Sequence, residues 1–172
     1  FKDFTQISEE LSAKELVHEV NECFKKFDEV IQKYNIEKIK TIGDAYMAAG
    51  GLNNPEHAQP KMVVKAAIEM RDFMVSRKTE REKQKLPAFE MRVGIHTGPV
   101  VAGIVGVKKF QYDIWGDTVN TASRMETEGQ VSKINISQVT HDLIMDSSEF
   151  KFENRGRIKA KGKGAIHMFF VE

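Results

Sequence analysis

Residues 37–47 read Glu37-Lys38-Ile39-Lys40-Thr41-Ile42-Gly43-Asp44-Ala45-Tyr46-Met47. Two short apolar runs, Ile36 to Ile42 and Ala45 to Ala49, are separated only by Gly43-Asp44. That pattern predicts a β-hairpin with a tight turn. Asp44 then sits on the turn, where its carboxylate is held rigidly and projects from the sheet edge. Aspartate also suits turns for purely local reasons, so the position alone does not assign it a chemical role.

The pattern changes to a helical period on the N-terminal side. Leu16, Val17, Val20, Phe24, Phe27, Val30 and Ile31 recur at the spacing of one helix face between Ser12 and about Lys33. Ser12-Ala13-Lys14-Glu15 reads as a capping box, and Asn35 stops the helix. On the C-terminal side, a second helix is expected after Asn54-Pro55, with Met62, Val63, Ala66, Ala67, Met70, Phe73 and Met74 on one stripe. Arg77 to Lys85 reads as a charge-rich connector, a solvated loop or helix end. Phe89, Met91, Val93 and Ile95 alternate with polar or small residues and predict a half-buried strand ended by Gly98-Pro99. Val100 to Val105 and Phe110 to Ile114 are further strands, joined by a turn containing Gly106 and Lys108-Lys109. A third helix follows Gly116-Asp117, with Val119, Ala122 and Met125 inward. Ile134 to Ile136, a short helix after Ser137, Phe150 to Ile158 and Ile166 to Val171 complete the chain. The order implies an α+β fold with helices against a mixed, mostly antiparallel sheet, and one more strand before Phe1.

The 172 residues are enough for one domain. Hydrophobic residues make up 41% and charged residues 30%, which supports a core under a charged surface and argues against disorder. Lys and Arg number 26 against 25 Asp and Glu, a net charge of +1, which gives no support for a nucleic-acid-coating protein. One cysteine, Cys23, excludes an internal disulfide framework or a multi-cysteine zinc site and fits a reducing, cytoplasmic setting. No apolar run approaches the roughly 20 residues that span a bilayer, so no direct membrane contact is expected of this domain, although a parent protein could be membrane-tethered. Because the first residue is Phe, the chain is expected to be a piece of a longer protein.

Several nucleotide and hydrolase motifs are absent. There is no Gly-x-x-x-x-Gly-Lys-Ser/Thr loop, no Gly-x-Gly-x-x-Gly after a strand, no Gly-x-Ser-x-Gly elbow and no His-Glu-x-x-His pair. The informative stretches are residues 37–47 and Gln111-Tyr112-Asp113-Ile114-Trp115-Gly116-Asp117-Thr118-Val119-Asn120-Thr121-Ala122-Ser123-Arg124-Met125. Both closely resemble signature segments of the class III nucleotidyl cyclase catalytic domain. Arg92-Val93-Gly94-Ile95-His96-Thr97-Gly98 and Lys161-Gly162-Lys163-Gly164 match two further motifs of that family in the right order, and Phe4-Thr5 resembles the end of its first metal motif.

The resemblance implies a ferredoxin-like-derived α+β catalytic fold and a site shared between two such domains. It implies two Mg²⁺ or Mn²⁺ ions bridged by two aspartates. Asp44 matches one; aligning Phe4-Thr5 places the other immediately before Phe1, outside the chain together with the first strand. Asp3 stands where the family usually has Gly. Lys40 and Asp113 match the two purine-reading positions. Adenine presents an acceptor at N1 and a donor at its amino group, so a lysine and a carboxylate are the complementary pair, and ATP is the expected substrate. Guanine has the reverse pattern and would set its O6 against the ionised Asp113. Asn120 is implied to orient the ribose. Arg124, four residues on and hence on the same helix face, is implied to stabilise charge on the α-phosphate through its planar fork. Lys161 matches the lysine that contacts the terminal phosphates, with Lys163 as a nearby rival. Backbone amides around Phe1 to Thr5, including those of Phe4 and Thr5, are implied to cradle the β- and γ-phosphates.

The reading is therefore an adenylyl cyclase working as a head-to-tail homodimer, with a regulatory sensor domain elsewhere in a parent chain. Alternatives are a guanylyl cyclase, or a non-catalytic nucleotide-binding or dimerisation module. The Ile-Gly-Asp-Ala turn argues against a diguanylate cyclase.

Overall fold

The structure is a computed structural model that describes residues 1–53, 59–108 and 110–172. Its elements run α1 (Phe4–Glu9), α2 (Ala13–Lys33), β1 (Glu37–Ile42), β2 (Ala45–Ala49), α3 (Pro60–Lys83), β3 (Val93–Ile95), β4 (Val101–Val105), β5 (Gln111–Trp115), α4 (Asp117–Thr127), β6 (Ile134–Ser137), α5 (Gln138–Ile144), β7 (Phe152–Ala160) and β8 (Gly164–Val171). A four-stranded sheet in the order β3-β6-β8-β7 is flanked by two antiparallel ribbons, β1-β2 and β4-β5. Among the described residues only β3 and β6 pair in parallel. The expected α+β class and mostly antiparallel pairing are both present.

Local chemistry explains the best-predicted elements. Ser12 accepts from the Glu15 amide while the Glu15 carboxylate accepts from the Ser12 amide, the two halves of a capping box. Asn35 leaves the helix in left-handed conformation at φ 54°. Gly43 takes φ 59° in the turn that carries Asp44. Val17, expected on the inward stripe, points out instead and is 69% exposed, because Val20, Cys23, Phe27 and Val30 already fill the face toward the core.

Two expectations change. Residues 77–83 are the end of α3, not a solvated loop: Arg77 and Arg81 both reach Glu19 of α2, at 2.6–2.7 Å, and Glu19 is only 1% exposed. That ion triad draws the charged end of α3 against α2. The strand expected over 89–95 is regular only at Val93–Ile95, which pairs with β6; Phe89 and Met91 are buried as the alternation required, but among the described residues the one bridge before Val93 is to Lys2, which donates its amide to Glu90 O at 2.7 Å. A short helix at Phe4–Glu9 is an element that the apolar periodicity does not signal. Asn54, Pro55 and Lys109 lie outside the described residues; α3 begins at Pro60. No helix among the described residues is long and apolar enough to cross a membrane.

The core follows from these pairings. Ile95, Ile134, Ile136, Phe169 and Val171 of the sheet pack on Val64 and Ala67 of α3 and Ile144 of α5. Cys23 and Phe27 of α2 meet Met74 of α3 with Phe89 and Met91. Burial pushes the Cys23 thiol up to about 12, so it stays protonated and unreactive. Removing one partner of a buried ion cluster leaves the others uncompensated. Replacing Glu19 by Ala should therefore cost about 3–5 kcal/mol in urea unfolding, because two guanidinium groups lose their carboxylate. A loss below about 1 kcal/mol would mean the triad behaves as a solvated surface pair.

Candidate active site

Both ribbons contribute to the site. In β1-β2 the register shifts between Lys38 and Lys40, leaving Ile39 as an extra residue on β1. Beyond that bulge Lys40 turns toward β5, and its Nζ donates to Asp113 Oδ2 at 2.5 Å. The two residues assigned to purine recognition, 73 positions apart, are thus side by side. Asp113 also accepts from the Ile114 amide at 2.8 Å. The Lys40 ammonium, with that amide, holds the Asp113 carboxyl below the usual carboxylate range, so it is an ionised acceptor beside a cationic donor at neutral pH.

Asp44 sits half-exposed on the hairpin turn, and the Phe1 nitrogen lies 3.0 Å from its Oδ2. Phe1 is held there by stacking on Phe89 and Phe24, with centroids 4.9 and 5.7 Å apart. Any residue joined to Phe1 in a longer chain would emerge next to Asp44. Phe4 and Thr5 open α1, so their amides have no acceptor within that helix. The Lys2 amide, by contrast, is already bonded to Glu90, which removes it from the expected phosphate cradle. The negative charge of Asp3 is paired with the Lys2 ammonium.

Asn120 and Arg124 stand one turn apart on α4, exposed and half-buried respectively. Among the described residues neither side chain has a hydrogen-bond or ion-pair partner, although Glu128 stands one turn beyond Arg124. No such contact joins either of them to Lys40, Asp44 or Asp113. The helix itself is firmly seated. A Cβ at Gly94 would fall 2.0 Å from the Glu126 nitrogen, so only glycine lets β3 lie directly against α4. Arg92 grips Glu126 at 2.8–2.9 Å, and Asn135 donates to Met125 O at 2.8 Å. Arg155 donates to Glu128 O and Asn135 Oδ1, both at 2.8 Å, while its guanidinium lies 4.2 Å from the Phe170 ring centroid. In the same stretch as Gly94, His96 Nδ1 meets Ser137 Oγ at 2.7 Å, and burial keeps the imidazole below its ordinary value. The 92–98 motif is therefore a seat for helices rather than a set of reacting groups. Asn135 had one sequence signal, a polar residue between Ile134 and Ile136; Arg155 had none.

In the turn between β7 and β8, Lys163 is paired with Asp117 in the first turn of α4. Lys161 is exposed and, among the described residues, unpaired, which separates the two rivals.

For a divalent cation, the donor chemistry present is a single hard oxygen ligand. Among the described residues no cluster of three or more His, Cys, Asp or Glu could hold an ion by itself. Mg²⁺ is commonly held by one or two carboxylates together with substrate phosphates, and Asp44 on an open turn fits that mode.

The family profile described as adenylate and guanylate cyclase catalytic domain matches residues 1–172. The chain is 39% identical over 168 residues to the guanylate cyclase soluble subunit beta-2 of Rattus norvegicus, covering 98% of this chain and 24% of that protein. It superposes on the adenylyl cyclase CyaB of P. aeruginosa with a TM-score of 0.91 at 28% identity, covering 99% of this chain and 89% of that one. On the guanylate cyclase domain of RhGC from Catenaria anguillulae, solved with GTP, the TM-score is 0.86 at 29% identity, with 99% and 91% covered. The chain belongs to the adenylate and guanylate cyclase catalytic domain family. It spans less than a quarter of the length of the curated relatives it matches.

The Lys40–Asp113 contact makes a titration prediction. Asp113 binds its proton less readily folded than unfolded, so the pair's contribution is present above the ordinary value near 3.8 and fades as pH falls through the depressed folded value. Carboxyl carbon NMR should place the Asp113 midpoint below 3.8 and return it toward that value in Lys40→Met. An unchanged midpoint in the variant would show that the lysine does not set it.

Proposed function

We propose that the domain is an adenylyl cyclase that converts ATP to 3′,5′-cyclic AMP and pyrophosphate at a site completed by a second copy of the chain. The observation that carries the reading is the Lys40–Asp113 pair, a cationic donor touching an ionised acceptor. Adenine can trade that internal bond for two of its own, N1 accepting from Lys40 and the 6-amino group donating to Asp113. Guanine in the same pose would point O6 at a carboxylate. The competing reading, a guanylyl cyclase, draws on the curated relatives named as guanylate cyclases.

The reaction joins the ribose 3′-oxygen to the α-phosphorus and breaks the bond from that phosphorus to the oxygen bridging to the β-phosphate; the 3′ proton is lost and pyrophosphate leaves. Mg²⁺ or Mn²⁺ ions, held in part by Asp44, supply acidification of the 3′-hydroxyl and screening of the triphosphate when bound. A second carboxylate immediately before Phe1 in a longer chain would stand beside Asp44 to share that task. Asn120 orients the ribose, and Arg124 presents its fork to the charge that builds on the α-phosphate. Lys161 reaches the terminal phosphates as a mobile charge, with the Phe4 and Thr5 amides beside it.

Asn120 and Arg124 have no contact with Asp44 inside one chain, and this supports a composite site. A surface suited to pairing exists on the β4-β5 ribbon, where Val101, Ile104 and Phe110 are 68–78% exposed and Val107, in the turn, 92%. An apolar ribbon continuous with Asp113 fits a second copy that covers it while bringing its own hairpin to the site. Control by a sensor domain elsewhere in a longer chain, and a cytoplasmic location with access to ATP, complete the proposal.

Two assays test it in the full-length protein. With Mn²⁺, kcat/KM should favour ATP over GTP, and the opposite preference would replace this reading by the guanylyl one. Asp44→Ala and Arg124→Ala chains should each be inactive, yet their mixture should regain about a quarter of wild-type activity, because half the dimers carry one intact site of two. A mixture as inactive as its components would refute the shared site.

A further inference from the structure

Side chains in a regular strand repeat every two residues, so Lys38 and Lys40 would share one face of β1. The extra residue at Ile39 separates them: Lys38 turns to α2 and Lys40 to β5. Asp28 of α2 is the group that receives the diverted side. Its carboxylate takes the Lys38 ammonium at 2.8 and 3.0 Å and accepts from the Tyr46 hydroxyl of β2 at 2.5 Å. The Tyr46 ring packs against Phe24 and Phe27, with centroids 5.5 Å away in each case, and Lys38 Nζ lies 5.0 Å from its own centroid. One carboxylate thus fastens both strands of the hairpin to one helix. Each anchored residue stands two positions from a site residue: Lys38 from Lys40, and Tyr46 from Asp44.

We propose that Asp28 is a positioning residue for nucleotide selection, whose clamp on Lys38 and Tyr46 holds the β1 bulge in register and so aims Lys40 at the purine and Asp44 at the phosphates. The proposal rests on the assignment of Lys40 and Asp113 as purine readers. A register slip of one residue carries every following side chain to the opposite face. Without the clamp the bulge is free to move along β1, and Lys40 then divides its time between Asp113 and the helix side. Asp28 and Lys38 are both exposed, and exposed ion pairs add little to stability, so the clamp's effect belongs in function more than in folding.

The test uses the full-length protein with Asp28→Ala, Asp28→Asn, Tyr46→Phe and the Asp28→Ala/Tyr46→Phe double variant. In Asp28→Ala the ratio of kcat/KM for ATP over GTP should shrink about tenfold, with KM for ATP rising, as expected when the reading group faces the purine only part of the time. Asp28→Asn, which keeps an acceptor for Tyr46, should recover part of it. The double variant should be no worse than Asp28→Ala, since both changes remove the same contact, and thermal midpoints should stay within a few degrees. Hydrogen exchange without nucleotide should be faster at the Ile39 and Lys40 amides in Asp28→Ala. Unchanged nucleotide ratio and unchanged exchange would overturn the proposal, as would a Tm collapse that lowers both nucleotides' rates equally. If wild type prefers GTP, the purine assignment fails on its own, and movement of that inverted ratio in Asp28→Ala still decides whether Asp28 positions the site. If wild type turns over neither nucleotide, the exchange rates decide it.

Discussion

A lysine ammonium and an ionised carboxylate held 2.5 Å apart are the only side-chain hydrogen bond, among the described residues, that joins the β1-β2 ribbon to the β4-β5 ribbon. Among the described residues the two ribbons share no backbone ladder. The relative placement of Lys40 and Asp113, the proposed purine readers, is therefore set by how each ribbon is fastened to the rest of the domain. The first is fastened to α2 through Asp28 and the Tyr46 ring, the second continues through Gly116 into α4. A charge pair at that seam is exchangeable: a base carrying one acceptor and one donor can replace it without leaving either group unpaired.

The other half of the chemistry depends on α4, and its placement uses a different kind of force. Backbone contact at Gly94 sets the distance between helix and sheet, while Asn135 and Arg155 occupy carbonyls near the helix C-terminus that would otherwise lack partners. Asn135 is wholly buried and fully bonded, so its polarity costs little and fixes one helix orientation. Asn120 and Arg124 ride on that fixed helix with their polar groups uncommitted among the described residues, as the roles proposed for them at a ribose and a phosphate require.

The parts legible in the sequence were those whose causes are local. Ser12 and Glu15 lie three residues apart, Gly43-Asp44 is a contiguous turn, and the cyclase motifs are contiguous strings. What escaped depends on distant partners. Residues 77–83 look like a solvated connector until Glu19, 58 positions away, is brought against Arg77. The alternation over 89–95 located the buried side chains correctly, but a ladder also needs a neighbour: β6 supplies one for Val93–Ile95, and before it only an isolated bridge from Lys2 to Glu90 is present among the described residues. Residue matching put Lys40 and Asp113 in one site, yet neither their direct bond nor the bulge that permits it could be read from composition or period. Arg155 gave no signal at all, since an arginine on a strand is ordinarily exposed.

In the proposed dimer the purine is held by one copy of the chain while Asp44 of the other serves the phosphates. The most direct measurement is the initial rate of cyclic AMP formation by the full-length protein across a range of protein concentrations, with oligomeric mass followed by sedimentation in the same buffer with ATP and Mn²⁺. The account predicts that activity per mole of chain rises with concentration and saturates in step with dimer formation. Constant activity per chain through a range where the protein sediments as a monomer would contradict it, and so would a fully dimeric protein that leaves ATP untouched.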